Sequence, residues 1–362
     1  MGSSTAAMLP KMMNGLQQAT YLNDLNIAGG KTAKDANGNY TDPAIYSPDE
    51  LAYFADPAHN TDWLRTAWKP ALLTRHALNM SGGSERVTYF AGVSYQYQDA
   101  NFSGIYNNKW TYRASTDVQV ARGLKAGLSL SGSMSQKQMY YLKQGGENVE
   151  NDMRSLLYTP QFAPPYINGL PVLLSTNSNT NTLDAFNFFA VQNSDNYTNS
   201  RYTGLNLTAN ISYDLPFIKG LSVRGVYSRT LDNNFGKQYG TKYNVYQFAM
   251  QGDHKHIYGG DVIASPLLNN GDRVRINPSY FDSYQLNGYL NYNRTFGKHA
   301  ISALAFVEQS ETATDAVAAM AEGVIVGGLD NMGFATGTQT TSEIQTQSGL
   351  LSYAGRLNYS YA

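Results

Sequence analysis

The chain has 362 residues, 42% hydrophobic and 15% charged, with a formal net charge of −1, 28 tyrosines and no cysteine. The missing cysteine excludes disulfides, thiolate zinc sites and cysteine nucleophiles together, and the near-zero charge offers nucleic acid no basic face. Globular domains usually carry about 25% charged residues, so this composition is that of a Tyr-rich, turn-rich β protein and is too aromatic for disorder.

The start, MGSSTAAMLPKMMNG, has no basic segment followed by an apolar one and does not read as a signal peptide. No run of about 18 apolar residues exists, which removes transmembrane helices. Transmembrane strands remain open, because alternation hides their hydrophobicity.

Residues 1–73 are mixed. NGLQQATYLNDLN reads as a short helix, and SPDELAYFAD as one or two helical turns capped by Ser47 with Pro48 at the first position. Between them lies a loop rich in Gly, Asn, Asp and Pro.

From Thr74 the pattern becomes alternating. TRHALNMS turns at GGS into ERVTYFAGVSYQYQ, with Val87, Tyr89, Ala91, Val93, Tyr95 and Tyr97 on one face and Arg86, Thr88, Phe90, Gly92, Ser94, Gln96 and Gln98 on the other. KWTYRASTDVQV follows, with Trp110, Tyr112, Ala114, Val118 and Val120 in phase against Lys109, Arg113 and Asp117. ARG then leads into LKAGLSLSGSMSQ. A long segment, 138–200, holds a helix-like piece, a Pro-broken loop and the polar tract STNSNTNT. TGLNLTANISYDL and LSVRGVYSRT meet at PFIKG, and YQLNGYLNYNRTF and AISALAFVEQS meet at GKH. Long loops are expected over 233–282 and 312–347, and LLSYAGRLNYSYA is the ninth candidate strand.

Tight turns therefore alternate with long connections, as in outer-membrane barrels. Period-two alternation alone does not say which face is wet. In a soluble sandwich or small barrel the apolar face points inward; in an outer-membrane barrel it points to lipid. The aromatic positions favour lipid: Tyr95, Tyr97, Trp110 and Tyr112 gather near the 99–108 loop, with smaller residues deeper, as in an interfacial girdle. The reading is an all-β, transmembrane antiparallel β-barrel with a polar interior. Arg113 and Asp117, four apart on the polar face, are expected to pair locally. The competing class is a soluble Tyr-rich β-sheet glycan-binding protein or glycoside hydrolase. It would need its apolar faces buried and two carboxylates in a cleft, and no such pair stands out.

TDWLRTAW, HALNMSGGSERVTYFAGVSYQYQDANFSG, YRASTDVQVARGLKAGLSLSGS, LPFIKGLSVRG, FGKHAISALAFVEQSE and SYAGRLNYSYA, in this order, resemble the SusC-like (SusC/RagA) TonB-dependent transporters of the Bacteroidetes outer membrane over roughly residues 46–362. The resemblance implies the N-terminal part of a larger, plugged barrel of about 22 strands, with 1–73 an early barrel and loop region following a plug this chain lacks, and 74–362 an incomplete set of strands with long extracellular loops. It implies import of an oligosaccharide or peptide too large for porins, with no enzymatic step. The partners it implies are a SusD-like surface lipoprotein as lid, TonB–ExbB–ExbD acting through the missing N-terminal region, outer-membrane lipid, and a dimer of SusC–SusD pairs.

Other signals are weaker. GGKT at 29–32 lacks the upstream glycine of a phosphate loop, because position 25 is Leu25. Asp35, Asn37, Asn39 and Asp42 offer oxygen ligands suited to calcium. Gly38 and Tyr46 break the EF-hand pattern, and an Asn-Gly turn is the simpler account. His254 and His256 share one side of an extended segment without a third zinc ligand. No cofactor is otherwise implied. Loop aromatics Tyr166, Phe186, Phe188 and Tyr197 are the candidates for stacking on a ligand.

Overall fold

The computed structural model describes residues 2–3, 9–42, 44–141, 149–174, 187–325 and 329–361. Nine long strands form one antiparallel meander: β2 (Leu72–Gly83), β3 (Val87–Asp99), β4 (Tyr106–Ala121), β5 (Leu124–Tyr140), β8 (Tyr197–Asp214), β9 (Leu221–Asn244), β12 (Leu267–Phe296), β13 (His299–Glu322) and β14 (Gln339–Tyr361). A two-residue strand, β1 (Gly2–Ser3), pairs with the outer edge of β2. Two small hairpins stand apart, β6 (Tyr166–Ile167) with β7 (Leu170–Pro171), and β10 (Gln247–Phe248) with β11 (Val262–Ala264).

Connections at one end of the sheet are tight, at 84–86, 122–123, 215–220 and 297–298. Those at the other end span 100–105, 141–196, 245–266 and 323–338. This is the expected asymmetry, with one correction. The segments read as loops over 233–282 and 312–347 are largely strand, since β9 runs to Asn244 and β12 already starts at Leu267. The 30 residues of β12 extend about 100 Å along the strand, against an apolar band of about 25 Å in an outer-membrane barrel. Above that band both faces meet water, so the hydrophobic alternation fades while the backbone ladder continues.

Directly opposed residues share a face. One row reads Val87–Val118–Ala126–Ile211–Gly225–Gly288–Val307–Tyr353 across eight strands. Another, on the opposite face, reads Gln98–Asn107–Lys137–Ser200–Gly236–Asn277. The apolar face is exposed: Leu78 is 71% accessible, Ile211 54% and Leu357 72%. No second large sheet covers it among the described residues, so the buried apolar faces that a soluble sandwich requires are not formed.

Rings organise this face. Tyr95 and Trp110 are direct partners with centroids 4.7 Å apart, Tyr97 stacks on Tyr106 at 6.3 Å, and Tyr112 sits one row lower opposite Val93. Tyr112 also lies over Gly132, where any Cβ would collide with its ring, a ring-over-glycine contact that pins register. One charged pair shares this face: Arg229 donates to both Asp282 oxygens, from Nε at 3.0 Å and Nη2 at 2.6 Å, beside the stacked rings of Tyr227 and Tyr284. The bidentate contact lets the two charges neutralise each other.

A compact cap is built at the long-loop end. Its helices are α1 (Gly15–Ala28), α2 (Pro48–Ala55), α3 (Trp63–Ala67), α4 (Val149–Tyr158) and α5 (Phe188–Gln192). α1 starts at a capping box in which Asn14 and Gln17 serve each other's backbone N–H. It stops at Gly29 and Gly30 (φ 68°), so GGKT is a helix terminus. α2 begins as expected at Ser47, whose N–H donates to the Glu50 carboxylate. The cap core joins the N-terminal segment to the loops: Trp63 and Leu64 pack with Phe102, Tyr140, Leu156, Phe188 and Val245. A second cluster gathers Ala19, Tyr46, Phe54, Phe162 and Ile257.

Candidate functional site: the polar face of the sheet

Two adjoining clefts open on the polar face. One, of about 670 Å³, is lined by Gln98, Asn107, Ser135, Lys137, Ser200 and Tyr202, among others. The other, of about 370 Å³, is lined by Arg75, Asn79, Gln96, Lys109, Thr111 and Arg113, among others. β-Pairing builds them: Arg75, Gln96, Lys109 and Ser135 form one row across β2–β5. That row lies behind Tyr95 and Trp110, one residue along on the opposite face. Hydroxyl and amide side chains stand between the cations together with the Phe90 ring, and Asp99, Ile105 and Phe235 also line the larger cleft. Such a surface can hydrogen-bond and attract anions. No pair of carboxylates converges in either cleft.

Arg113 and Asp117 do not pair. Four residues along a strand span about 13 Å, too far for the contact that the same spacing gives in a helix.

No family model matches the chain. Among curated proteins it is 24% identical over 314 residues to a protein named TonB-dependent receptor P3 of Formosa agariphila, covering 86% of this chain and 29% of that relative. It is 26% identical over 132 residues to TonB-dependent receptor P26 of the same organism, covering 36% of this chain and 12% of that one. Among solved structures, the one titled RagAB peptide transporter matches with a TM-score of 0.62 at 16% identity, over 98% of this chain and 38% of that one.

The chain is a homologue of proteins named as TonB-dependent receptors. It spans less than a third of the length of either curated relative. The uncovered apolar face is thus the lipid face of an outer-membrane barrel wall, and the polar face is the lumen face. The resemblance to TonB-dependent transporters and the outer-membrane location expected from sequence both hold. The cap occupies the long-loop end of the sheet.

The sequence-derived candidates have diverse fates. Phe188 is buried in the cap core, edge-on to Phe102, Tyr140 and Phe189. Tyr197 donates to Asp330 and its ring lies 6.0 Å from that of Tyr239. Tyr166, on the β6–β7 hairpin, is the most exposed of the three. Phe186 lies outside the described residues. Asp35 accepts from the N–H groups of Asn37 and Asn39, both at 2.9 Å, and so shapes the turn, with Gly38 at φ 83°. Asp42 instead faces His254 Nε2 at 3.1 Å.

His254 and His256 diverge. His256 Nδ1 meets the Glu50 carboxylate at 3.0 Å, whereas His254 turns to Asp42 and the Ile45 carbonyl. Glu50 is fully buried and accepts from the N–H groups of Ser47, His254 and His256. Burial pushes its carboxyl up, but the His256 and Ser47 N–H groups and the His256 ring outweigh this and hold it below its ordinary value. The DHKH stretch therefore latches the 245–266 loop onto α2. Sequence reasoning missed this latch because its partners are about 200 residues apart.

Proposed function

We propose that this chain is part of the wall and extracellular cap of an outer-membrane importer for an oligosaccharide or peptide too large for porins. The observation that carries the reading is the two-faced sheet: a continuous, uncovered apolar surface backs a hydroxyl-, amide- and charge-lined one. Curated relatives named as receptors support a transport role and no covalent chemistry. On this reading a SusD-like lipoprotein closes over the cap, and such pairs dimerise. TonB–ExbB–ExbD acts from the periplasm through segments preceding the wall, and ligand passes along the polar face. Tyr166 contributes from the cap surface as a stacking residue.

The test is deletion of the full-length gene in its host, with growth and labelled uptake scored on oligosaccharides and peptides above porin size. Growth on one class should be lost, restored by the intact gene, and abolished again when the inner-membrane proton gradient is dissipated. Unchanged uptake of every member of the panel sinks the import reading.

A further inference from the structure

The two ends of the lipid face carry opposite charge. On β12–β14 its carboxylates are Asp282, Glu311, Asp315 and Glu343, all on the long-loop side. Its cations are at the tight turn 297–298. Arg294 stands on this face in the row Arg294–Ile301–Tyr359, the row Phe296–His299–Tyr361 comes last, and Lys298 is in the turn itself.

The separation matches a membrane. From Asp282 to Arg294 along β12 is 12 residues, as is His299 to Glu311 along β13, or about 40 Å of strand. At a strand tilt of about 40° this is about 30 Å of height, enough to bracket an apolar band of about 25 Å. Between these ends the same face of β12 carries Tyr284, Leu286, Gly288, Leu290 and Tyr292, and no charged group.

The cations rest on rings. The Arg294 guanidinium lies over Phe296 at 4.5 Å and the Lys298 ammonium over Tyr361 at 5.8 Å. His299 ties the rings across β13 and β14: its Nδ1 is 2.7 Å from the Tyr359 hydroxyl, and its ring is 5.1 Å from that of Tyr361. Phe296, Tyr359 and Tyr361 all remain exposed. Neither Arg294 nor Lys298 forms an ion pair with a described carboxylate; the cations of the wall that do are Lys69, Arg229, Lys237 and Lys242. The neighbours of Arg294 within the sheet are Ile301 on β13 and Gly220 at the end of the 215–220 turn, and neither is acidic. Its side chain is on the face away from the lumen, out of reach of anything held inside a barrel.

Rings and long cationic chains at the edge of an apolar band sit at headgroup level. The anion within reach of a cation there is a lipid phosphate, and a headgroup with no ammonium of its own leaves that phosphate uncompensated. The short turns of outer-membrane barrels lie on the periplasmic side, where the leaflet supplies such phosphates.

We propose that Arg294 and Lys298, seated on Phe296 and Tyr361, form a phosphate-binding rim that holds anionic phospholipids of the periplasmic leaflet against the wall. The rim uses the lipid assignment of this face and stands whether or not the import reading does.

The experiment reconstitutes the full-length protein in nanodiscs of equal phosphatidylcholine and phosphatidylglycerol and identifies the lipids it retains on release by native mass spectrometry. Phosphatidylglycerol should be retained in at least threefold excess. Arg294→Gln with Lys298→Gln should bring the ratio down to about one, and each single variant should lower it part of the way. Arg294→Lys with Lys298→Arg keeps both charges and should keep most of the excess, whereas Arg113→Gln, on the lumen face, should leave it unchanged. No excess in the parent overturns the proposal, as does an excess that the glutamine variants retain once heat-modifiable mobility shows them folded. Retention of a second copy of the chain in place of lipid, lost in the same variants, makes the rim a protein contact and also overturns it. Sidedness is read from Lys298→Cys on cells, with the parent as background. An impermeant maleimide should label it only after the outer membrane is breached, and labelling of intact cells puts the rim in the outer leaflet and overturns the assignment.

Discussion

The cap and the wall use the same apolar residue types in opposite ways. In the cap, Trp63 and Leu64 are each 1% accessible; in the wall, Leu78, Ile211 and Leu357 stand in the open. The cap is a small water-soluble core of loop and helix, closed by distant contacts such as the Trp63 indole donating to the Ala163 carbonyl at 2.9 Å. The wall has no core. Its order comes from the ladder between neighbouring strands, and its apolar surface is complementary to lipid rather than to protein. The lesson is that hydrophobicity marks a surface for removal from water without naming what removes it.

The largest test of this contrast is Trp63→Ala. It empties the centre of the cap and strands the Ala163 carbonyl, and it should cost the cap about 3–5 kcal/mol. Hydrogen exchange on the full-length protein should show α3, α4 and the 245–266 loop losing protection while β2–β5 keep theirs. If wall and cap lose protection together, they are one cooperative unit and the contrast is wrong.

Next is Val93→Arg. A charge on the lipid face near mid-strand should cost about 2–4 kcal/mol, whereas Ser94→Arg, on the wet face, should cost much less. Equilibrium unfolding of both variants in lipid vesicles reads the difference, and equal costs would mean that the two faces are alike.

The cap also has a pH signature that the wall does not share. Asp152 is buried, Tyr140 donates to its Oδ2 at 2.9 Å, and its Oδ1 has no hydrogen-bond partner among the described residues. Burial pushes its carboxyl up to about 6 against the Tyr140 hydrogen bond. A raised folded-state value means that the fold prefers the neutral acid, so this contribution is full below about pH 4 and is lost as pH rises through about 6. Glu50 has the opposite sign, its contribution being lost as pH falls through its lowered value. Asp152→Asn should therefore stabilise the cap by about 1–3 kcal/mol at pH 7 and by little at pH 4. Cap protection that rises with pH in the parent relative to this variant would reverse the assignment.

How much of this was legible in sequence follows from the same contrast. The wall was readable wherever one face meets lipid, because alternation in ERVTYFAGVSYQYQ and KWTYRASTDVQV is a local property. The upper parts of β9, β12, β13 and β14 were not, because there neither face must be apolar and only the ladder persists. Caps at Asn14 and Ser47 were local and visible. The cap core was not, since Phe188 reads as a loop aromatic until Phe102 and Tyr140 are brought to it. Lys109, Arg113 and Asp117 were placed correctly on the polar face, but their pairing was misjudged by borrowing a helical spacing for a strand.

The subtlest prediction asks whether the wall's apolar face is packed at all. Ala91 and Val93 lie on it, opposite Met80 and Leu78 on one side and Ala114 and Tyr112 on the other. Both positions are partly or fully exposed. Enlarging both to leucine adds methylenes where lipid tails can move aside, so Ala91→Leu with Val93→Leu should change stability by less than about 1 kcal/mol in vesicles. In a close-packed protein core the same double change would force neighbours off their rotamers and typically cost about 1–3 kcal/mol. The measurement is the unfolding free energy of the full-length double variant beside Val93→Arg. A loss comparable to that of the arginine variant would mean that another protein surface covers this face, and the lipid assignment would fall with it.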